Sequence, residues 1–158
     1  MELLNSKRRK DVNIHECTIA TTTGAASKIK KDMLPKILLV EDEMHLLECY
    51  TDALCGRYRV VSTSSGKEAL RQAKLQQDID LAVVDFRLPD IPGTEVLTNI
   101  TRMRSPIPVI MITGHGSEDV AVKAFRCGAR DYLKKPFSVN EVIQVTEREL
   151  KRSKQLQA

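Results

Sequence analysis

The chain has 158 residues, 42% of them apolar and 29% charged, a balance that excludes disordered and fibrous classes and fits one domain of ordinary size with about thirty residues to spare. No apolar run approaches the ~18–20 residues that span a bilayer, and no apolar stretch follows the first charged residues to make a secretory signal. The formal charge of +4 divides unevenly: residues 1–34 hold seven Lys or Arg against four Asp or Glu, and residues 35–158 hold eighteen against seventeen. No basic face of the kind that binds nucleic acid is therefore expected.

Residues 1–34 read as a flexible basic N-terminal arm. They contain the cluster Lys7-Arg8-Arg9-Lys10, a weak strand pattern at Val12-Asn13-Ile14-His15, and the aperiodic Thr21-Thr22-Thr23-Gly24. The four cysteines, Cys17, Cys49, Cys55 and Cys127, have no CxxC spacing and no His at metal-ligand distance. They read as reduced thiols of a cytosolic protein. His15 and His45 read as surface residues.

From residue 36 a pattern repeats five times: a short apolar run, a turn, then an amphipathic stretch. The runs are 36–40, 58–61, 79–84, 107–112 and 130–133. Runs of Val, Ile and Leu without alternation suit strands buried on both faces, and parallel strands need a crossover of a dozen or more residues. The alternation predicts a parallel sheet with helices on both sides. The helix signals lie between the runs. Leu46, Leu47, Tyr50 and Leu54 share a face that Gly56 terminates. Ser65 and Glu68 have capping-box spacing, and Val96, Leu97 and Ile100 follow Gly93. Val120, Ala124 and Phe125 follow Ser117 and end at Gly128, and Ser138 and Glu141 form a second capping box before Val142, Ile143 and a charged tail running to about residue 154.

In an open parallel sheet, ligands bind outside the carboxyl ends of the strands. The first run ends in Glu41-Asp42-Glu43, the third in Asp85, the fourth in Thr113-Gly114 and the fifth in Lys135-Pro136. Carboxylates at neighbouring strand ends repel one another, and a hard divalent cation is the simplest compensation; oxygen-only donors suit Mg²⁺. With the ammonium of Lys135 and the hydroxyl of Thr113, the set fits phosphoryl transfer, in which a carboxylate can itself accept the phosphoryl group. Taken singly, each residue has an ordinary reading: Asp85 as a helix N-cap, the acidic triplet as a first helical turn, Lys135 as a surface lysine. Their coincidence at four strand ends favours the shared site.

Four segments then carry a family resemblance: Lys36-Ile37-Leu38-Leu39-Val40-Glu41-Asp42-Glu43, Val84-Asp85-Phe86-Arg87-Leu88-Pro89-Asp90-Ile91-Pro92-Gly93, Pro108-Val109-Ile110-Met111-Ile112-Thr113-Gly114 and Asp131-Tyr132-Leu133-Lys134-Lys135-Pro136-Phe137. In this order and spacing, residues 35–155 resemble the receiver domain of bacterial two-component response regulators. The resemblance implies an α/β, flavodoxin-like (βα)5 three-layer sandwich with parallel strand order 2-1-3-4-5. It makes Asp85 the acceptor of a phosphoryl group from a sensor histidine kinase or phosphotransfer protein. Glu41, Asp42, Asp85 and the backbone carbonyl of Arg87 would hold Mg²⁺, with Asp42 the closer ligand of the acidic pair and Glu41 acting through water. Thr113 and Lys135 would contact the phosphoryl oxygens, Tyr132 would switch between exposed and buried rotamers, and the Lys135–Pro136 bond would be cis. Arg87 and His115 fall where residues of the family line the path of hydrolytic water, and their bulk is expected to slow loss of the phosphoryl group.

The expected function is that of a cytoplasmic, stoichiometric phosphoacceptor that promotes its own phosphorylation and dephosphorylation, rather than that of an enzyme. No membrane or direct nucleic-acid contact is expected. Homodimerisation through the face of the fourth helix, fifth strand and fifth helix is common in the family. The alternative is an N-terminal receiver fragment of a longer transcriptional regulator, since no output domain is expected within the chain. A phosphatase of the haloacid-dehalogenase type would carry a second Asp where Arg87 stands, which argues against that class.

Overall fold

The computed structural model describes residues 15–16, 32–103, 107–114, 116 and 118–158. The five apolar runs form strands β2 (Lys36–Val40), β3 (Arg59–Thr63), β4 (Ile79–Asp85), β5 (Val109–Thr113) and β6 (Asp131–Lys134), preceded by a short β1 (His15–Glu16). They alternate with helices α1 (Met44–Leu54), α2 (Gly66–Leu75), α3 (Gly93–Met103), α4 (Glu118–Arg126) and α5 (Val139–Gln157). The sheet order is β1-β3-β2-β4-β5-β6, and every pair from β3 across to β6 is parallel. Counting the parallel strands alone, this is the expected 2-1-3-4-5. Strand β1 is an addition at the outer edge of β3, antiparallel, with His15 opposite Ser62 and Glu16 opposite Val61. It overlaps the end of the weak strand pattern at residues 12–15; the rest of that pattern and the basic cluster lie outside the described residues, as do His115 and Ser117.

The two-residue period of a strand sends alternate side chains to opposite faces of the sheet. Ile37, Leu39, Leu81, Val83, Ile110 and Ile112 pack on one face with Leu47, Tyr50 and Leu54 of α1 and Val142, Val145 and Leu150 of α5. Leu38, Val40, Ala82, Val84, Val109 and Met111 pack on the other with Ala69 and Ala73 of α2, Val96, Leu97 and Ile100 of α3, and Ala124 of α4. Because both faces are covered, the strands carry nearly continuous apolar runs. Helix α4 departs from its sequence pattern: Ala124 is its only buried residue, and Phe125 is 50% exposed.

The helix ends follow local chemistry. Gly56 and Gly128 adopt positive φ, 91° and 101°, after α1 and α4, a conformation glycine reaches without a Cβ clash. Ser138 and Glu141 form a complete capping box on α5. On α2 only half the box forms. Ser65 Oγ accepts from the Glu68 N–H, but the Glu68 carboxylate turns to Arg71 and Gln72. The expectation of four reduced thiols is corrected: Cys55 is disulfide-bonded, whereas Cys49 and Cys127 are free. Sequence spacing detects only cysteines close along the chain, and a disulfide joins residues close in space.

Gly93 fixes the approach of α3 to the end of β4. A Cβ there would lie 2.0 Å from the Asp85 carbonyl oxygen and 2.9 Å from the Phe86 Cα, backbone atoms with no rotamer to yield. The Gly93 N–H also donates to the Phe86 carbonyl at 3.0 Å. Gly93→Ala is expected to destabilise the fold by about 1–3 kcal/mol through overpacking, measured by urea unfolding; an unchanged midpoint would show that α3 can retreat without cost.

Candidate functional site

Parallel strands that end at one rim bring their following residues together whatever their separation along the chain. Asp85, the last residue of β4, is 4% exposed, and Glu41, just past the adjacent β2, is 0% exposed. Asp42 beside it is exposed. One carboxylate oxygen from each of Glu41, Asp42 and Asp85 lies within 4.8 Å of the others. Thr113, the last residue of β5, is 1% exposed. Lys135 follows β6, and its N–H donates to the Thr113 carbonyl at 2.8 Å, which ties the two strand ends.

The Lys135 ammonium stands at the centre. It donates to Asp85 Oδ2 at 2.7 Å, forms an ion pair with Glu41 Oε2 at 2.8 Å, and lies 3.8 Å from Glu43 Oε1. Asp85 Oδ1 accepts the Arg87 N–H at 2.7 Å, and Glu41 Oε1 accepts the Glu43 N–H at 3.2 Å. Glu41 Oε2 is buried, with the Lys135 ammonium at 2.8 Å as its partner. Burial pushes the Glu41 carboxyl up to about 7; Lys135 opposes that rise and Asp85 adds to it. Burial also works against the Lys135 charge, but Asp85 and Glu41 outweigh it and hold the ammonium above the ordinary lysine range. One cation thus serves a cluster of carboxylates. An all-oxygen donor set with surplus negative charge fits Mg²⁺.

The support is apolar. Lys135–Pro136 is cis, and the ring of Phe137 stacks on Tyr50 of α1, with centroids 5.0 Å apart and planes 20° from parallel. Burial raises the Tyr50 phenol to about 12, so this ring remains neutral. Tyr132 is half-buried against the α2–α3–α4 face. Its hydroxyl is buried without a hydrogen-bond partner among the described residues, close enough to Gly116 that a Cβ there would lie 2.8 Å away. The Arg87 side chain is exposed, and His115 lies outside the described residues.

A family model described as the response regulator receiver domain matches residues 37–147. The chain belongs to that family. The receiver is similar to the response regulator SaeR of Staphylococcus aureus, 36% identical over 108 residues, which are 68% of this chain and 46% of the relative. The chain therefore spans less than half the length of the curated relatives it matches. Among solved structures it resembles a response regulator receiver domain protein from Clostridium thermocellum, with a TM-score of 0.73 and 31% identity over 78% of this chain and 99% of the other. It also resembles NtrX from Brucella abortus, solved with ATP, with a TM-score of 0.74 and 30% identity, covering 79% of this chain and 29% of NtrX.

Glu41, Asp42, Asp85, Thr113 and Lys135 are thus the residues the strand ends gather, and all five were legible in the sequence. Glu43 and Tyr50 were not assigned a part, although the acidic triplet and the aromatic on the buried face of α1 were signals for them. Asp90, on the β4–α3 loop, entered only as part of a segment that carries the resemblance. No described helix is long and apolar enough to cross a membrane.

The raised Glu41 carboxyl has a pH consequence of definite sign. A carboxyl whose pKa rises on folding, here from 4.5 to about 7, stabilises the fold most when protonated, and that stability is lost as pH rises through the folded value. The metal-free receiver should therefore lose stability between about pH 5 and 8, and Glu41→Gln should flatten that slope in urea melts. An unchanged slope in the variant would assign the titration to another group.

Proposed function

We propose that this receiver takes a phosphoryl group onto Asp85, and that Glu41, Asp42, Asp85 and the Arg87 carbonyl hold Mg²⁺ while it does so. The observation that carries the reading is the buried Asp85 carboxylate at a strand end, with one oxygen on the Lys135 ammonium at 2.7 Å and the other on the Arg87 N–H at 2.7 Å. A carboxylate oxygen attacks phosphorus as the donor's phosphorus–nitrogen bond breaks, and the donor imidazole leaves with that electron pair. The product is a mixed anhydride on Asp85. Lys135 meets one phosphoryl oxygen and Thr113 another, and these groups neutralise and orient without forming covalent bonds. The cation, when bound, offsets the negative charge that gathers between carboxylates and phosphoryl oxygens.

The phosphoryl group carries a charge of about −2 where the carboxylate carried one, and its oxygens draw Thr113 and the Lys135 ammonium to themselves. Tyr132 then shifts its population between orientations and changes the face made by α4, β6 and α5. In this reading the protein is a stoichiometric phosphoacceptor in the cytoplasm, served by a sensor histidine kinase or phosphotransfer protein, and that face can pair two copies. The greater length of SaeR and NtrX supports a second reading, a receiver that is one part of a longer regulator.

Incubation with Mg²⁺ and acetyl phosphate should add one phosphoryl group to the protein by intact mass, and none to Asp85→Asn. An unmodified wild type, or equal uptake by the variant, would overturn the assignment. Arg87→Ala should shorten the lifetime of the phosphorylated form several-fold by opening a path for water; unchanged or slower decay would remove Arg87 from that role.

A further inference from the structure

The loop from Phe86 to Pro92 joins the end of β4 to α3, and its two ends are fixed by backbone contacts. The Phe86 N–H donates to the Ile112 carbonyl at 2.7 Å, and the Gly93 N–H returns to the Phe86 carbonyl at 3.0 Å. Between them one polar side chain of the loop hydrogen-bonds to a different part of the molecule. Asp90 Oδ1 accepts the Gly66 N–H at 2.9 Å, and Oδ2 accepts the Lys67 N–H at 2.8 Å and the Ser65 hydroxyl at 2.8 Å. A loop carboxylate thus satisfies donors at the first turn of α2, in place of the capping box that Glu68 leaves incomplete. Beside this clamp Ile91 packs against Gly66, where a Cβ would lie only 2.6 Å from Ile91 Cγ1. Partial burial opposes the Asp90 charge, but the donors at Lys67, Ser65, Gly66 and Ile91 outweigh it and bring the carboxyl to about 2. The clamp is therefore fully charged throughout the neutral range.

Three residues before Asp90 stands Arg87, whose N–H orients Asp85 at 2.7 Å and whose carbonyl accepts no backbone hydrogen bond from a described residue. Pro89 lies between Arg87 and Asp90, and Pro92 lies between Asp90 and Gly93, so fixed φ angles leave this loop little freedom to absorb a displacement. We infer that Asp90 is a positioning residue: by fastening the phosphoacceptor loop to the N-terminus of α2, it sets where the Arg87 peptide presents its N–H to Asp85 and its carbonyl to the metal. The inference rests on the reading that Asp85 and the Arg87 carbonyl hold Mg²⁺.

The test compares wild type, Asp90→Ala and Asp90→Asn by calorimetric Mg²⁺ titration without a phosphodonor, and by the rate of uptake from acetyl phosphate across Mg²⁺ concentrations. Asp90→Ala should weaken Mg²⁺ binding about tenfold, as the loss of a group that orients a metal ligand does, and should raise the half-saturating Mg²⁺ for uptake in proportion. The maximal rate at saturating Mg²⁺ should change less. Asp90→Asn, which keeps an acceptor for one or two of the three donors, should fall between. If Asp90→Ala does not fold, the Asn variant alone decides. Unaltered Mg²⁺ affinity in the folded variants, even with a lowered melting temperature, would reduce Asp90 to a helix cap and overturn the inference. Failure of the phosphoacceptor reading is recognised separately, as a wild type that binds Mg²⁺ yet takes up no phosphoryl group.

Discussion

One half-buried ammonium among several carboxylates is the constraint around which this molecule is arranged. Lys135 lies within 2.8 Å of both Glu41 and Asp85, and its charge makes their shared burial tolerable. Two carboxylates in a poorly hydrated rim repel each other and lose hydration, and the net interaction of a buried pair with its cation is a small difference between large terms. The residual imbalance appears in Glu41, whose carboxyl burial still raises to about 7 despite the ammonium beside it. A site held in that condition is prepared for a further positive charge, and then for a group that brings its own negative oxygens.

The fold supplies this arrangement because its strands run in one direction. The sheet places β2, β4, β5 and β6 side by side, and each contributes the residue at or just past its carboxyl end. The two helical layers divide the supporting work. The α1–α5 layer seats Phe137 on Tyr50 and so steadies the turn that carries Lys135. The opposite layer, through Gly93 on α3 and Asp90 on the N-terminus of α2, sets the loop that follows Asp85. The two banks of the site are thus anchored to different halves of the core.

Most of this was legible in the chain, for a physical reason. Parallel strands buried on both faces must read as apolar runs, and the residue that ends each run must lie at the rim. Asp85, Thr113 and Lys135 could therefore be assigned before any contact was known. What escaped depends on proximity that no local pattern encodes. Asp90 serves donors 23 to 25 residues away, and its sequence context, between Pro89 and Pro92, is that of any turn. Cys55 found a covalent partner that spacing did not suggest. Strand β1 is too short to show a period, and its pairing is decided by the open edge of β3. Phe125 satisfies a helical apolar stripe yet remains half exposed, because a stripe specifies an angle around the helix and not the depth to which that helix sinks.

That shallow seating gives the molecule a mechanical asymmetry. Helix α3 buries Val96, Leu97 and Ile100 fully, whereas α4 buries only Ala124 fully and leaves Val120 and Ala121 half-buried; the Ala124 methyl contributes on the order of 1 kcal/mol by burial. Of the three helices on that side, α4 is the shutter most cheaply lifted. It follows Gly116, against which the Tyr132 hydroxyl is lodged. A small force applied at Gly116 would meet its least resistance there, so the architecture itself selects which panel of the surface yields first.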